Sequence, residues 1–513
     1  MSKEQLLDWR WRVSNIYTIA DEKGRVIPFR PNDEQARFMS ELHTLNAILK
    51  ARQIGFSTLI QIMGLDTSLF HPNTNMGVIA QDLETAQEIF DQKIRDVYER
   101  LPEGLKNTVS ATQDAAKAMT LSNGSRIRVG TSLRGGTFQF LHISELGKIA
   151  AKYPDKAREI KSGALNTVHA GQHIFIESTA EGQGGLFHEI VKDAMELEAK
   201  GLKPGPLEFK LHFAPWWRDK RYRIETDRSI PSRHTAYFAE LERQHGIVLE
   251  PAQQRWYSQK ELQQREDMRR EFPSYPEEAF DAPIEGAYYT EELRRARETR
   301  RIGDYPYDPK LGQVYTFWDL GRSDLMTIWF AQRVGASRWR FFDYVEGQDQ
   351  SFPHYARVLK EKASEHQSWV YGGHFLPHDG ARTDLSAVNS RKTTLENLGV
   401  YPCYVVERTK DLAGPALTSS INIVKAFFDL VAFDRVGCAE GLKHLQNYRK
   451  EWDDKLATWK ARPLHNQASD GADGFRTAAE ADRQGILDKD YYDDGYDEGE
   501  ETRVRQADPY TGY

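Results

Sequence analysis

The sequence predicts an α/β fold in two parts: an N-terminal unit on a mainly parallel sheet and a C-terminal unit on a mixed sheet. Three observations support this. Residues 1 to about 200 alternate short apolar runs with helix-period segments, as in parallel sheets covered on both faces. Residues 311 to about 484 open with three strand-like runs separated by gaps too short for crossovers. Between the two lies a proline-rich, charged stretch of different rhythm. The expected domains are 1–200, a lid or linker at 201–305, a second α/β domain at 306–485, and a tail at 486–513.

The elements follow in order. "LNAILKA" (45–51) is a buried strand, followed by a loop ending in Gly55 and an apolar helix from Ser57. "MGVIA" (76–80) is a second strand. Leu83, Ala86, Ile89, Phe90, Ile94, Val97 and Leu101 recur at helical spacing over 83–101. "SRIRVGT" (125–131), "FQFLHIS" (138–144) and "HIFIEST" (173–179) complete the first set of strands. Downstream, "QVYTFWDL", "LMTIWFAQRV" and "RWRFFDYVEG" pair antiparallel. Residues 488–501 carry eight acids and one lysine, which predicts a disordered tail.

Composition narrows the function classes. The 513 residues are 39% hydrophobic, enough for real cores, and the net charge is −7. The tail holds that excess, so the remainder is near neutral and basic faces can form on it. Two cysteines, Cys403 and Cys438, exclude a disulfide framework and a cysteine-rich zinc site, and suit a reducing compartment. No apolar run is long enough for a signal peptide or a membrane span.

The loop "KARQIGFST" resembles a phosphate-binding loop, G-x-x-x-x-G-K-[ST], with Phe56 where the lysine belongs. Gly55 permits the tight turn, Ser57 supplies a hydroxyl for magnesium, and Thr58 follows it. Lys50 or Arg52 can reach a phosphate in place of the missing lysine. The strand "FQFLHIS" ends at Ser144-Glu145, where an acid can activate water; Ser144 replaces an expected aspartate, so Glu145 acts alone. Gln35, upstream, is placed to read an adenine edge.

A second set of residues points to phosphodiester chemistry. Asp319 ends one hydrophobic strand, Asp379 ends another, and Asp473 starts a helix. Burying such acids is costly unless they bind metal or hydrogen-bond. Three separated acids and antiparallel strands suit an RNase H-like fold, with Mg²⁺ or Mn²⁺ between the carboxylates. Asp324 and Glu346 are weaker candidates, and Asp470 competes with Asp473 for its place.

These segments in this order resemble the large terminase subunit of tailed double-stranded DNA bacteriophages, the motor that packages viral DNA. The resemblance spans about 25 to 485. It rests on "KARQIGFST", "LHISE", "SLRGGTF", "IESTAEG", "WDLG", "LPHDG" and "GADGFRT". It implies an N-terminal P-loop ATPase domain and a C-terminal RNase H-like nuclease domain. It implies ATP as cofactor, Lys50 as phosphate lysine, Arg52 as loop arginine and Glu145 as catalytic carboxylate. Arg134 would complete a neighbouring subunit's site, Ser178 and Thr179 would form a coupling motif, and Asp319, Asp379 and Asp473 would bind metal. The implied partners are double-stranded DNA, a small terminase subunit, the procapsid portal and further copies in a ring, usually a pentamer. The implied location is the host cytoplasm, docked transiently on the procapsid and absent from the mature virion. DNA contacts are expected at 216–223 and at Arg382, Lys392 and Arg476. Two other classes compete: an ATP-dependent helicase or translocase without cleavage, and a non-enzymatic assembly protein with a degenerate loop.

Overall fold

The computed structural model describes residues 3–133, 136–168, 171–281, 286–321, 325–335, 337–365, 369–383, 389–407, 416–453 and 458–486. Arg134, Asp324 and the acidic tail from 487 lie outside the described residues. The chain divides into two units, 1–287 with 451–459, and 288–450 with 460–513.

The first unit is built on eight strands: β1 (Leu45–Lys50), β2 (Asn75–Ile79), β3 (Ala111–Ala115), β4 (Ala118–Leu121), β5 (Arg126–Gly130), β6 (Phe140–Ser144), β7 (His173–Ser178) and β8 (Lys210–Ala214). Their order is β8-β1-β7-β6-β2-β5-β4-β3. The first six run parallel, and β4 and β3 add an antiparallel edge. Period-two alternation explains why the sheet is covered on both faces. Ile48 joins Leu59, Met76, Phe140 and Phe175 in one core, while Ala47 and Leu49 join Ile79, Leu141 and Ile176 in another.

Two expectations change here. β8 falls inside the stretch expected as a linker, yet it pairs with β1 along its length. Its proline-rich surroundings hid it, and only pairing with a buried strand makes so short a run a strand. The helix expected over 83–101 runs from Leu83 to Glu99, with a π turn at Asp91–Arg95.

The second unit carries β9 (Ile302–Gly303), β10 (Val314–Asp319), β11 (Leu325–Val334), β12 (Arg338–Gln348), β13 (Tyr371–Leu376), β14 (Cys403–Val405) and β15 (Val431–Asp434). The order is β9-β15-β12-β11-β10-β13-β14. β10, β11 and β12 pair antiparallel as expected, and β13 and β14 extend the sheet in parallel, giving an RNase H-like mixed sheet. Phe317, Trp329, Phe341 and Phe375 face one core, and Trp318, Ile328, Phe330 and Phe342 face the other.

A long helix, Gln467–Arg483, covers the first of these faces through Phe475. Asn466 caps it, accepting a hydrogen bond from the Ser469 backbone N–H. Asp473 therefore sits in the second turn, not at the helix start as expected, because Asn466 rather than an aspartate takes the cap. Thr327 Oγ1 donates to the Asp470 carbonyl at 3.1 Å, and Trp329 Nε1 donates to the Gly471 carbonyl at 2.9 Å. Gly474 permits this close approach: a Cβ there would lie 2.7 Å from Thr327 Oγ1. Gly474→Ala is expected to destabilise this unit by about 1–3 kcal/mol, the usual cost of overpacking. Its denaturant midpoint checks this; an unchanged midpoint would mean the helix does not need that contact.

Candidate functional site

The carboxyl ends of β1, β6 and β7 are adjacent, which is where open parallel sheets place ligands. The loop after β1 turns through two left-handed residues, Gln53 at φ 61° and Gly55 at φ 88°. The helix Phe56–Phe70 then begins with no side-chain cap, so its first N–H groups remain available to an anion. Phe56 is 2% exposed and packs edge-on against Phe38 at 5.5 Å. The lysine position of the usual motif thus points into the core.

The cation comes from the strand instead. Lys50 Nζ lies 3.0 Å from Glu145 Oε1 and 3.0 Å from Glu177 Oε2. Burial works against the Lys50 charge, but the two carboxylates outweigh it and raise its pKa. Burial alone would push Glu177 up; Lys50, His142 and Ser57 pull it down, so Glu177 is an anion with no exposed surface. Ser57 Oγ donates to Glu177 Oε1 at 2.6 Å, Ser144 Oγ donates to the same oxygen at 2.8 Å, and His142 Nε2 stands 3.6 Å away. Lys93, on the π turn, lies in the same field: burial and the Lys50 charge lower its pKa, while Glu177 raises it.

Glu145 occupies the turn out of β6 with φ 57°, a strained value for a residue with a side chain. Its backbone N–H donates to the Glu177 carbonyl at 2.7 Å, and Ser178 Oγ donates to Glu145 Oε2 at 3.5 Å. Ser178 Oγ also accepts from the Gly147 N–H at 3.0 Å, while Thr179 is buried beyond it.

Two of the expected residues do something the sequence did not show. Gln35 is 4% exposed; its Nε2 donates to the Gly55 carbonyl at 2.7 Å and its Oε1 accepts from the Asn32 N–H at 2.9 Å. It braces the loop from beneath. Arg52 points to Glu271 at 3.1 Å, and its carbonyl accepts from the Tyr222 hydroxyl. Residues of the expected linker thus anchor the loop. Ser57 and Thr58 are half-buried at the helix start. Glu177 is the residue that sequence reading missed. Its one signal is an acid inside the apolar run "HIFIEST".

The oxygen set of Ser57, Ser144 and Glu177 has the chemistry that a hard divalent cation takes.

In the second unit, Asp319 ends β10 and its pKa is raised well above the ordinary carboxylate value. Burial is the largest cause, followed by Asp473 and Asp470, with Asp379 also contributing and Arg476 opposing. The three expected acids therefore share one electrostatic neighbourhood, together with Asp470. Arg391 donates to Asp379 Oδ2 at 2.7 Å and to the Leu320 carbonyl at 3.2 Å, tying the two strand ends together. Arg476 pairs with Asp473 at 2.9 Å. Among the described residues, no three His, Cys, Asp or Glu side chains stand close enough to hold one ion. Asp379 and Asp473 are each partly neutralised by an arginine, Arg391 and Arg476. Of the expected auxiliary acids, Glu346 instead lies 2.6 Å from His444 Nε2.

The basic residues expected to contact DNA meet acids of the protein as well. Arg218, Lys220, Arg221 and Arg223 pair with Glu34, Asp33, Asp219 and Glu250, and Trp216 is buried. Lys392 lies 3.7 Å from Glu396.

No protein-family model and no curated protein matches the chain. Among solved structures it is similar to the large terminase of bacteriophage HK97, at 14% identity and a TM-score of 0.42, covering 88% of this chain and 95% of that one. It is similar to the large terminase of a thermophilic bacteriophage at 12% identity and a TM-score of 0.31, covering 88% and 98%. It is also similar to the ATPase domain of the Thermus phage P74-26 large terminase, at 16% identity and a TM-score of 0.31, covering 48% and 93%. Residue roles in this chain rest on its own geometry. No helix among the described residues is long and apolar enough to cross a membrane.

Two outcomes follow from the electrostatics. Lys50→Met leaves Glu177 buried without its counter-charge, and is expected to cost about 3–5 kcal/mol in urea unfolding. Adding Glu177→Gln should recover most of that loss; strictly additive losses would mean the two are uncoupled. Asp319→Asn is expected to raise the thermal midpoint in EDTA. The gain should grow from pH 4 to pH 7, because a carboxylate with a raised folded pKa destabilises the native state as pH climbs through its titration. An equal or lower midpoint at pH 7 would show that Asp319 is not under repulsion.

Proposed function

We propose that the chain is a viral DNA-packaging motor whose first unit hydrolyses ATP to move double-stranded DNA and whose second unit cuts it. The observation that carries the reading is the Lys50 ammonium, 3.0 Å from Glu145 and from Glu177 beside an anion-ready helix start. A phosphate arriving at the loop competes with those carboxylates for Lys50. Glu145 is thereby freed to accept a proton from water, the role of a general base. Arg52 needs only to leave Glu271 to join the phosphate, and its side chain is half-exposed. Gln35 holds the Gly55 turn and so sets the loop's shape for the nucleotide. Thr58 stands beside Ser57 at the helix start. Arg134 acts across subunits. A divalent cation, Mg²⁺ or Mn²⁺, neutralises phosphate oxygens when bound.

Cleavage is assigned to Asp319, Asp379 and Asp473. Their oxygens are hard donors, but Arg391 and Arg476 must first give up Asp379 and Asp473. Substrate phosphates compete for both arginines, so DNA binding and opening of the acidic cluster are linked. The partners are double-stranded DNA, a small terminase subunit, a procapsid portal and further copies in a ring, in the host cytoplasm. The acids near Asp319 favour this reading over a helicase without cleavage activity. A helicase has no need for an Asp319 whose charge is opposed by burial and by the fields of Asp473, Asp470 and Asp379.

DNA-stimulated ATP hydrolysis and plasmid digestion with Mg²⁺ or Mn²⁺ test both halves. Glu145→Gln is expected to reduce ATP turnover by about 10²–10⁴-fold while leaving digestion intact. Asp379→Ala is expected to do the reverse. No ATP turnover with DNA and procapsids present would favour the assembly-protein reading. Intact plasmid at every metal concentration would leave a translocase alone.

A further inference from the structure

We infer that Glu177, one strand over from the expected position, is the carboxylate that holds the nucleotide's divalent cation in this protein. The inference rests on the nucleotide-binding reading of the first unit. The strand end at β6 offers only a hydroxyl, Ser144. Ser144 and Glu177 are register partners on adjacent parallel strands, so a carboxylate on β7 reaches the place that an acid on β6 would fill. The contacts show that it does. Glu177 Oε1 accepts from Ser144 Oγ at 2.8 Å and from Ser57 Oγ at 2.6 Å, linking the strand end to the loop hydroxyl through a single oxygen.

The alternative is that Glu177 is only the counter-ion of Lys50. Lys50 already has Glu145 at the same distance, and burying a second carboxylate beside one ammonium is costly. Lys50 is also the one ammonium within ion-pair distance of Glu177 among the described residues. A phosphate that draws Lys50 away leaves Glu177 fully buried, with His142 at 3.6 Å and the field of Lys93 in place of its ion pair, and so in need of a new counter-charge. A cation arriving with the nucleotide supplies it. The site thus exchanges one counter-charge for another: Lys50 passes from carboxylates to phosphate as Glu177 passes from Lys50 to the ion. Ser57 and Ser144 hold Glu177 in place through that exchange.

ADP binding to the full chain, measured by calorimetry with EDTA, Mg²⁺ or Mn²⁺, tests the assignment. In the unaltered protein the cation tightens ADP binding. Glu177→Gln is expected to tighten metal-free ADP binding, because Lys50 then has one carboxylate fewer to leave, and to lose about tenfold or more of the metal-dependent gain. Ser144→Asp combined with Glu177→Gln is expected to restore it by returning the acid to β6. A second measurement needs no variant at Glu177. In protein carrying ¹³C-carboxyl glutamate, Mn²⁺ with ADP should show a carbon hyperfine coupling that persists in Glu145→Gln. A metal-dependent gain that survives Glu177→Gln, or the absence of that coupling, overturns the assignment. ADP that binds with metal while Glu177→Gln changes nothing defeats only Glu177. ADP that does not bind under any condition defeats the nucleotide reading itself.

Discussion

One buried ammonium shared by two carboxylates organises the first unit. Lys50 ends the strand before the loop, Glu145 turns the chain out of β6, and Glu177 closes the group from β7. Charge in a low-dielectric interior is stable only when paired, so the three strand ends must stay adjacent. The strain at Glu145 persists because its backbone and side chain are both fixed by this arrangement. Phe56 follows from the same solution. With the cation supplied by the strand, the usual lysine position is free to pack in the core against Phe38.

The loop is also held from below and from the side. The Asn32–Gln35 capping box secures it, with Asn32 Nδ2 donating to the Ile54 carbonyl at 2.9 Å and Gln35 to that of Gly55. Glu271 and Tyr222 hold Arg52 and its backbone. The segment 201–287 is therefore part of the first unit and supports its loop rather than acting as a tether. A rigid loop preserves the backbone N–H directions that bind phosphate, which loose positioning would lose.

Much of this was legible in the chain. Alternating apolar runs located the core strands, and the strand-loop-helix rhythm located Lys50, Gly55, Ser57 and Glu145. The strand-end acids Asp319 and Asp379 stood out because hydrophobic runs seldom end in charge without cause. Glu177 was not legible, since its significance lies in pairing with Ser144 across strands 33 residues apart. Likewise β8 needs its partner β1 to be a strand at all. The Asp470 and Asp473 ambiguity resolves only when Thr327 and Trp329 fix the helix. Both acids then act on Asp319. The arginines on Asp379 and Asp473 were hidden for the same reason: ion pairs across the fold leave no local pattern.

The two units use one electrostatic device. In each, carboxylates at strand ends or on the long helix are held by the protein's own cations, Lys50 in the first unit and Arg391 and Arg476 in the second, and in the proposed function phosphate competes for those cations. The most direct measurement is a structure of the chain with a non-hydrolysable ATP analogue and Mg²⁺. The account predicts Lys50 Nζ on phosphate oxygen, away from both glutamates. Lys50 still bridging Glu145 and Glu177, with nucleotide bound elsewhere or by other cations, would contradict it.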